Sequence, residues 1–225
     1  MPQNTTPYVC ANAVAKLAML AACCNGWISF ALPIQITGPN STADRRIIVA
    51  VIDSAHVAGG TRVRAEQDAG RILASAGISV GWIEIDANVR SDLPAGAIVL
   101  RILPEAGPSH DPNAVGVALA PALGGIYASI FFDRVRERAM DPLFREAGAN
   151  LVCVMGHVIA HEIGHLLLGT NSHSESGLMS AVWTVSDMRR ISKGQFNFWP
   201  DESARMRREV ARRNGPSRME TAKAR

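Results

Sequence analysis

Two histidines and a glutamate stand together in His161-Glu162-Ile163-Gly164-His165. On a helix, residues four apart lie one turn apart on the same face. His161 and His165 can therefore present two imidazole nitrogens to one metal ion. Glu162 sits beside the first of them and can reach a water at the metal without ligating. Two neutral imidazoles suit zinc, and an open coordination position holds the water that becomes a nucleophile. The expected metal is Zn2+, with His161 and His165 as ligands and Glu162 as catalytic general base.

A helix over Leu151–Leu168 must position this group. The run is almost continuously apolar, and its histidines and glutamate are nearly its only strongly polar side chains. Polar groups buried on such a helix need a compensating partner, and a metal ion is a natural one. Gly169 supplies a helix stop, Thr170-Asn171-Ser172 turn the chain, and His173 follows. His173, Asp187 and Glu175 are the candidates for a third metal ligand, one imidazole and two carboxylates. His157 lies one turn before His161. Three histidines over two turns span about 12 Å of axis, too far for one ion at about 2 Å from each. His157 is therefore expected as a hydrogen-bonded core residue, and His56 and His110 receive no role.

The stretch resembles the metzincin peptidases, close to the matrixin pattern H-E-x-G-H-x-x-G-x-x-H-S. It departs from that pattern in spacing: Gly169 stands four residues after His165 rather than three, and His173 eight rather than six. The resemblance makes His173 the third ligand. It also makes Met179, in Gly177-Leu178-Met179, the Met-turn methionine, a structural floor under the metal and not a ligand. The fold it implies is α+β and zincin-like. A twisted mixed β-sheet with an antiparallel edge strand is joined to a long active-site helix and C-terminal helices. The activity it implies is that of a zinc-dependent endopeptidase, with a protein or peptide substrate that adds to the sheet edge. Matrixins carry structural zinc and calcium ligands near the edge strand; Tyr127, Ala128 and Ser129 supply no matching set, so those ions are not expected. Two rivals stand beside this reading. One is a gluzincin-like peptidase whose third ligand is a carboxylate. The other is a non-catalytic zinc- or peptide-binding envelope protein with a zincin fold, in which the histidines would be needed but Glu162 would not.

The body ahead of the helix reads as strands at 46–53, 78–85, 97–103, 115–120 and 126–133. A helix is expected at 66–76, and a loop or short helix at 140–149. The strand–helix–strand order predicts a sheet that is parallel in this part. After the Met-turn, helices are expected at 185–192 and 201–213. Between them lie Phe196, Phe198 and Trp199. Tyr127 and Trp183 are assigned to core packing, with a cleft wall as the alternative.

With 225 residues and 48% hydrophobic content, the chain can bury one substantial core. The domain is placed at 41–213. The net charge of +3 is uneven, since the last 25 residues hold eight Lys or Arg against four Asp or Glu. A basic tail is expected over 214–225. No aromatic-interleaved basic patch, zinc-finger spacing or glycine-rich phosphate loop occurs, so nucleic acid is not an expected partner. Residues 1–40 read as a signal or anchor segment: Leu17–Thr37 is uncharged and largely apolar behind Lys16, and Leu20-Ala21-Ala22-Cys23 resembles a bacterial lipobox. Secretion or attachment to the cell envelope is the expectation, with a cytoplasmic location as the alternative. Cys153 is expected as a small core residue.

Overall fold

A computed structural model describes residues 45–86, 93–94, 96–120 and 125–215. The signal or anchor expectation for 1–40, and with it export, falls outside those residues, as does the tail beyond 215.

The β-branched run Arg46–Asp53 forms β1, and Gly59–Ser75 forms α1. Three strands follow at Ser79–Glu84 (β2), Ile98–Leu103 (β3) and Gly116–Leu119 (β4), and a fifth at Tyr127–Phe131 (β5). The strand order is β2-β1-β3-β5-β4. β1 pairs in parallel with β2 and β3, and β3 in parallel with β5. β4 runs antiparallel to β5, with Ala118 opposite Ala128, and forms one edge. The sheet is thus mixed with an antiparallel edge strand, as expected. In β1 the consecutive residues Val49, Ala50 and Val51 are all buried. That is the signature of a strand covered on both faces.

Two elements differ from the sequence expectation. α1 starts at Gly59, seven residues before the expected Glu66. Its apolar periodicity begins only where the helix meets the core, at Ala65 and Ala69. The earlier turns are polar and are held by Arg62, which bonds Glu66 at 2.8 Å and Glu84 at 2.7 Å. The strand expected to reach 133 ends at Phe131, and the chain enters helix α2 (Phe132–Met140) directly. Only Val135 and Ala139 of α2 are buried, so its sequence carries little helical signal. Pro142–Glu146 forms α3, capped by Asp141, whose carboxylate accepts from the Leu143 and Phe144 amides. Tyr127 is a further correction. It is 47% exposed, across the sheet edge from Leu119, and is not in the core.

Leu151–Leu168 forms the central helix α4, followed by α5 (Val185–Ser192) and α6 (Pro200–Asn214). Asn150 caps α4 by accepting from the Cys153 amide at 3.1 Å, and Gly169 ends it in the left-handed region at φ 67°. That conformation favours glycine, which carries no Cβ. Every residue from Cys153 to Leu167 is buried. By length and composition α4 could cross a membrane, but it is packed inside the protein by α1, α2, α5, α6, β4 and β5. Two of its last carbonyls are satisfied from α6. Arg213 donates to the Leu166 carbonyl at 2.9 Å and Arg205 to that of Leu168 at 3.3 Å. Cations at a helix C-terminus also complement its dipole.

α1 crosses α4 at Gly156, where a Cβ would lie 2.6 Å from Asp68 Cβ and 3.0 Å from the Ala65 carbonyl oxygen. A backbone atom cannot rotate away from such a contact. Gly156→Val should therefore lower unfolding free energy by about 2–3 kcal/mol despite removing a helical glycine. Chemical denaturation checks this, and an unchanged midpoint would refute the close crossing.

Candidate metal centre

His161, Glu162 and His165 project from the buried middle of α4, with exposures of 7%, 4% and 4%. Each histidine is oriented by a backbone carbonyl. His161 Nδ1 lies 2.7 Å from the Leu178 oxygen, and His165 Nδ1 lies 2.9 Å from that of Thr170. A carbonyl only accepts, so both Nδ1 atoms carry the hydrogen, and in the neutral rings both Nε2 atoms are left as lone pairs. Those two Nε2 atoms face each other at 3.0 Å. Burial, then the neighbouring His165, push the His161 imidazole down to about 3, against the Leu178 carbonyl. Burial likewise lowers His165 and His173. Neutral rings with converging lone pairs repel unless a cation lies between them.

His173 completes the group. Its ring stacks on His161 at a centroid distance of 5.4 Å and meets His165 edge-on at 4.9 Å. One nitrogen from each of the three rings lies within 4.8 Å of the others. Two nitrogens at 3.0 Å are close to the span of ligands about 2.0–2.1 Å from one zinc ion. The donor set therefore fits Zn2+. Among the described residues no other cluster of His, Cys, Asp or Glu could hold a metal.

The loop bearing His173 is fastened to α6. Ser174 Oγ donates to Glu202 at 2.7 Å, and Trp199 Nε1 donates to the Ser176 carbonyl at 3.0 Å. Within the loop, the Ser174 amide donates to the Met179 carbonyl at 2.9 Å. The same turn supplies the Leu178 carbonyl that orients His161. Met179 is buried, and its Sδ would lie 2.7 Å from a Cβ placed on Gly164, between the two helical histidines.

The carboxylate alternatives for the third ligand lie elsewhere. Asp187 caps α5, accepting from the Thr184 amide at 2.9 Å and hydroxyl at 2.8 Å, and Glu175 is exposed outside the group. His157 is buried, with Nδ1 2.7 Å from the Cys153 carbonyl and Nε2 unpartnered.

Glu162 has no partner for Oε2, and burial pushes its carboxyl up to about 8. It lies against the edge strand: a Cβ on Gly116 would be 2.7 Å from Glu162 Oε1 and 2.9 Å from Cγ and Cδ. Nothing in Val115-Gly116-Val117 marks that contact in sequence. The carbonyls of Leu178 and Thr170 are equally silent, because any residue supplies one. Trp183, assigned to core packing with a cleft wall as the alternative, serves both: it is partly buried against the core and lines a cavity beside His161, its Nε1 donating to the Leu178 carbonyl at 3.3 Å.

No protein-family model and no curated protein matches the chain. Among solved structures, the crystal structure of archaemetzincin from Methanopyrus kandleri matches with a TM-score of 0.51. The match covers 74% of this chain and 96% of that one at 14% identity. At that identity the likeness establishes fold, and the fold is the zincin-like mixed α/β architecture of archaemetzincin.

Proposed function

We propose that this protein is a zinc-dependent endopeptidase, with His161, His165 and His173 as ligands and Glu162 as general base. The observation that carries the reading is the pair of Nε2 lone pairs at 3.0 Å, each fixed by a carbonyl behind its ring, beside an unpartnered carboxyl. A structural histidine pair has no need of the third ring or of that carboxyl. When bound, zinc supplies Lewis acidity, which polarises a scissile carbonyl and makes water acidic enough to deprotonate near neutral pH.

The chain's own groups do the rest. Leu178 and Thr170 hold the tautomers that point Nε2 inward. Glu162 takes the proton of the attacking water and delivers it to the leaving amine. Gly116 leaves room for its carboxyl beneath β4. As an edge strand, β4 offers a ladder to which an extended peptide can add, next to the general base. Met179 is read as the Met-turn residue, an apolar floor that keeps water away from the back of the ligands.

Zinc analysis should find near-stoichiometric metal in wild type and Glu162→Gln, and little in His173→Ala. Glu162→Gln should also lose hydrolysis of an unstructured protein such as casein by about 100-fold or more. Zinc-free, folded wild type would refute the metal site, and wild-type turnover in Glu162→Gln would refute the base.

Gly116→Ala tests the packing of that base. It should cost about 1–2 kcal/mol in wild type and nearly nothing in a Glu162→Ala background, as a thermal-denaturation cycle would report. Equal costs in both backgrounds would remove the contact.

A further inference from the structure

A cavity of about 450 Å³ lies beside His161 and is lined by Val154 and Val158 of the same helix. Residues at these spacings form one face of α4, about 10 Å long from Val154 to His161. Phe144, Trp183 and Met188 complete a largely apolar wall. Such a cavity next to a metal site accepts a side chain of a substrate bound there.

The polar groups in it are unevenly signed. Arg138, from the last turn of α2, is half-buried and lines the cavity, as does Asn113. Among the described residues, no carboxylate lines it. Among the described residues, no acidic side chain pairs with the Arg138 side chain and no acceptor bonds its guanidinium. The other arginines along this part of the chain are differently placed: Arg134 is spent on the Asp111 and Ala114 carbonyls. A guanidinium carried by a half-buried residue on the wall of an apolar cavity gains most from a carboxylate, which it can bind through two parallel hydrogen bonds. Asn113 adds an amide donor at the same cavity.

We propose that this cavity is a specificity site in which Arg138, assisted by Asn113, binds a substrate carboxylate carried on an apolar stem next to the cleaved bond. The carboxylate is either a glutamate side chain or the peptide's own C-terminus. This rests on the peptidase reading and goes beyond it by assigning a substrate class. Arg138 touches the substrate away from the reacting atoms, so it governs binding and the choice of peptide rather than proton transfer.

The test uses zinc-loaded protein and peptide hydroxamates that differ at the residue nearest the hydroxamate. Glutamate, glutamine and lysine are compared as C-terminal amides, and leucine both as the free acid and as the amide. Calorimetry should show a carboxylate preferred over its neutral counterpart by about tenfold or more, in the glutamate pair or the leucine pair, which identifies the source. Arg138→Gln should bring that ratio to within about twofold while zinc content stays unchanged. Arg138→Lys should keep part of it, and Arg138→Glu should favour the lysine ligand. Tight binding with no carboxylate preference in wild type would overturn the proposal and leave the peptidase reading standing. Failure of zinc-loaded protein to bind any hydroxamate would overturn both. A preference that survives Arg138→Gln would assign it to another group and refute the role of Arg138.

Discussion

Two imidazole lone pairs aimed at each other inside a protein are a repulsive arrangement, and the rest of this structure serves to hold them there. Rotation of either ring would relieve the repulsion but would break its Nδ1 bond to the Leu178 or Thr170 carbonyl. Neither carbonyl belongs to α4's own interior. One comes from the turn after the helix and the other from the loop that returns past it. Ring orientation is therefore set by tertiary structure. Protonation would also relieve the repulsion, but burial opposes it at both helical histidines. What relieves it without disturbing either bond is a metal ion between the nitrogens, which is the physical content of the metal-site reading.

The same constraint explains why α4 lies at the centre of the domain. Its polar triplet is buried because helices surround it and β4 lies against Glu162. Burial of Cys153 to Leu167 leaves the helix no freedom to turn. The C-terminal end, next to His165, is fastened through α6 by Arg205 and Arg213. α6 fastens the His173 loop as well, through Glu202 and Trp199. One helix thus secures both His165 at the end of α4 and His173 in the loop beyond it, so the sequence distance between the two histidines need not fit a fixed spacing. The longer loop is accommodated by anchoring.

This separates what was legible in the sequence from what was not. The helix over Leu151–Leu168, its glycine stop and the strand–helix–strand order were readable because apolar periodicity and glycine chemistry are local. His161, Glu162, His165 and His173 were candidates because metal ligation demands particular side chains, and the three histidines do converge. α2 escaped notice because only Val135 and Ala139 are buried along it, too few to show a period. Tyr127 was misplaced because an aromatic residue on a strand looks like core until the edge position of its partner strand is known. Gly116 and the orienting carbonyls were beyond reach for a different reason: their contribution is space or backbone, and neither leaves a side-chain signature.

In the proposed peptidase, the helix also links the chemistry to selectivity. His161 belongs to the metal group on one side and to the cavity wall on the other, in line with Val158 and Val154. Under the proposed function, a substrate side chain lying along that face would be placed by the same helix that aims the His161 nitrogen. Its position relative to the reacting bond is then fixed without a moving part, which favours orientation over induced fit. At such a site a missing methylene changes affinity modestly, whereas a charge that must be satisfied changes it more. An apolar cavity alone would therefore sort substrates weakly by size. Among the described residues, Arg138 is the one guanidinium-bearing residue on its wall, and in the proposed specificity site it would convert a general preference for apolar stems into a requirement for a particular end.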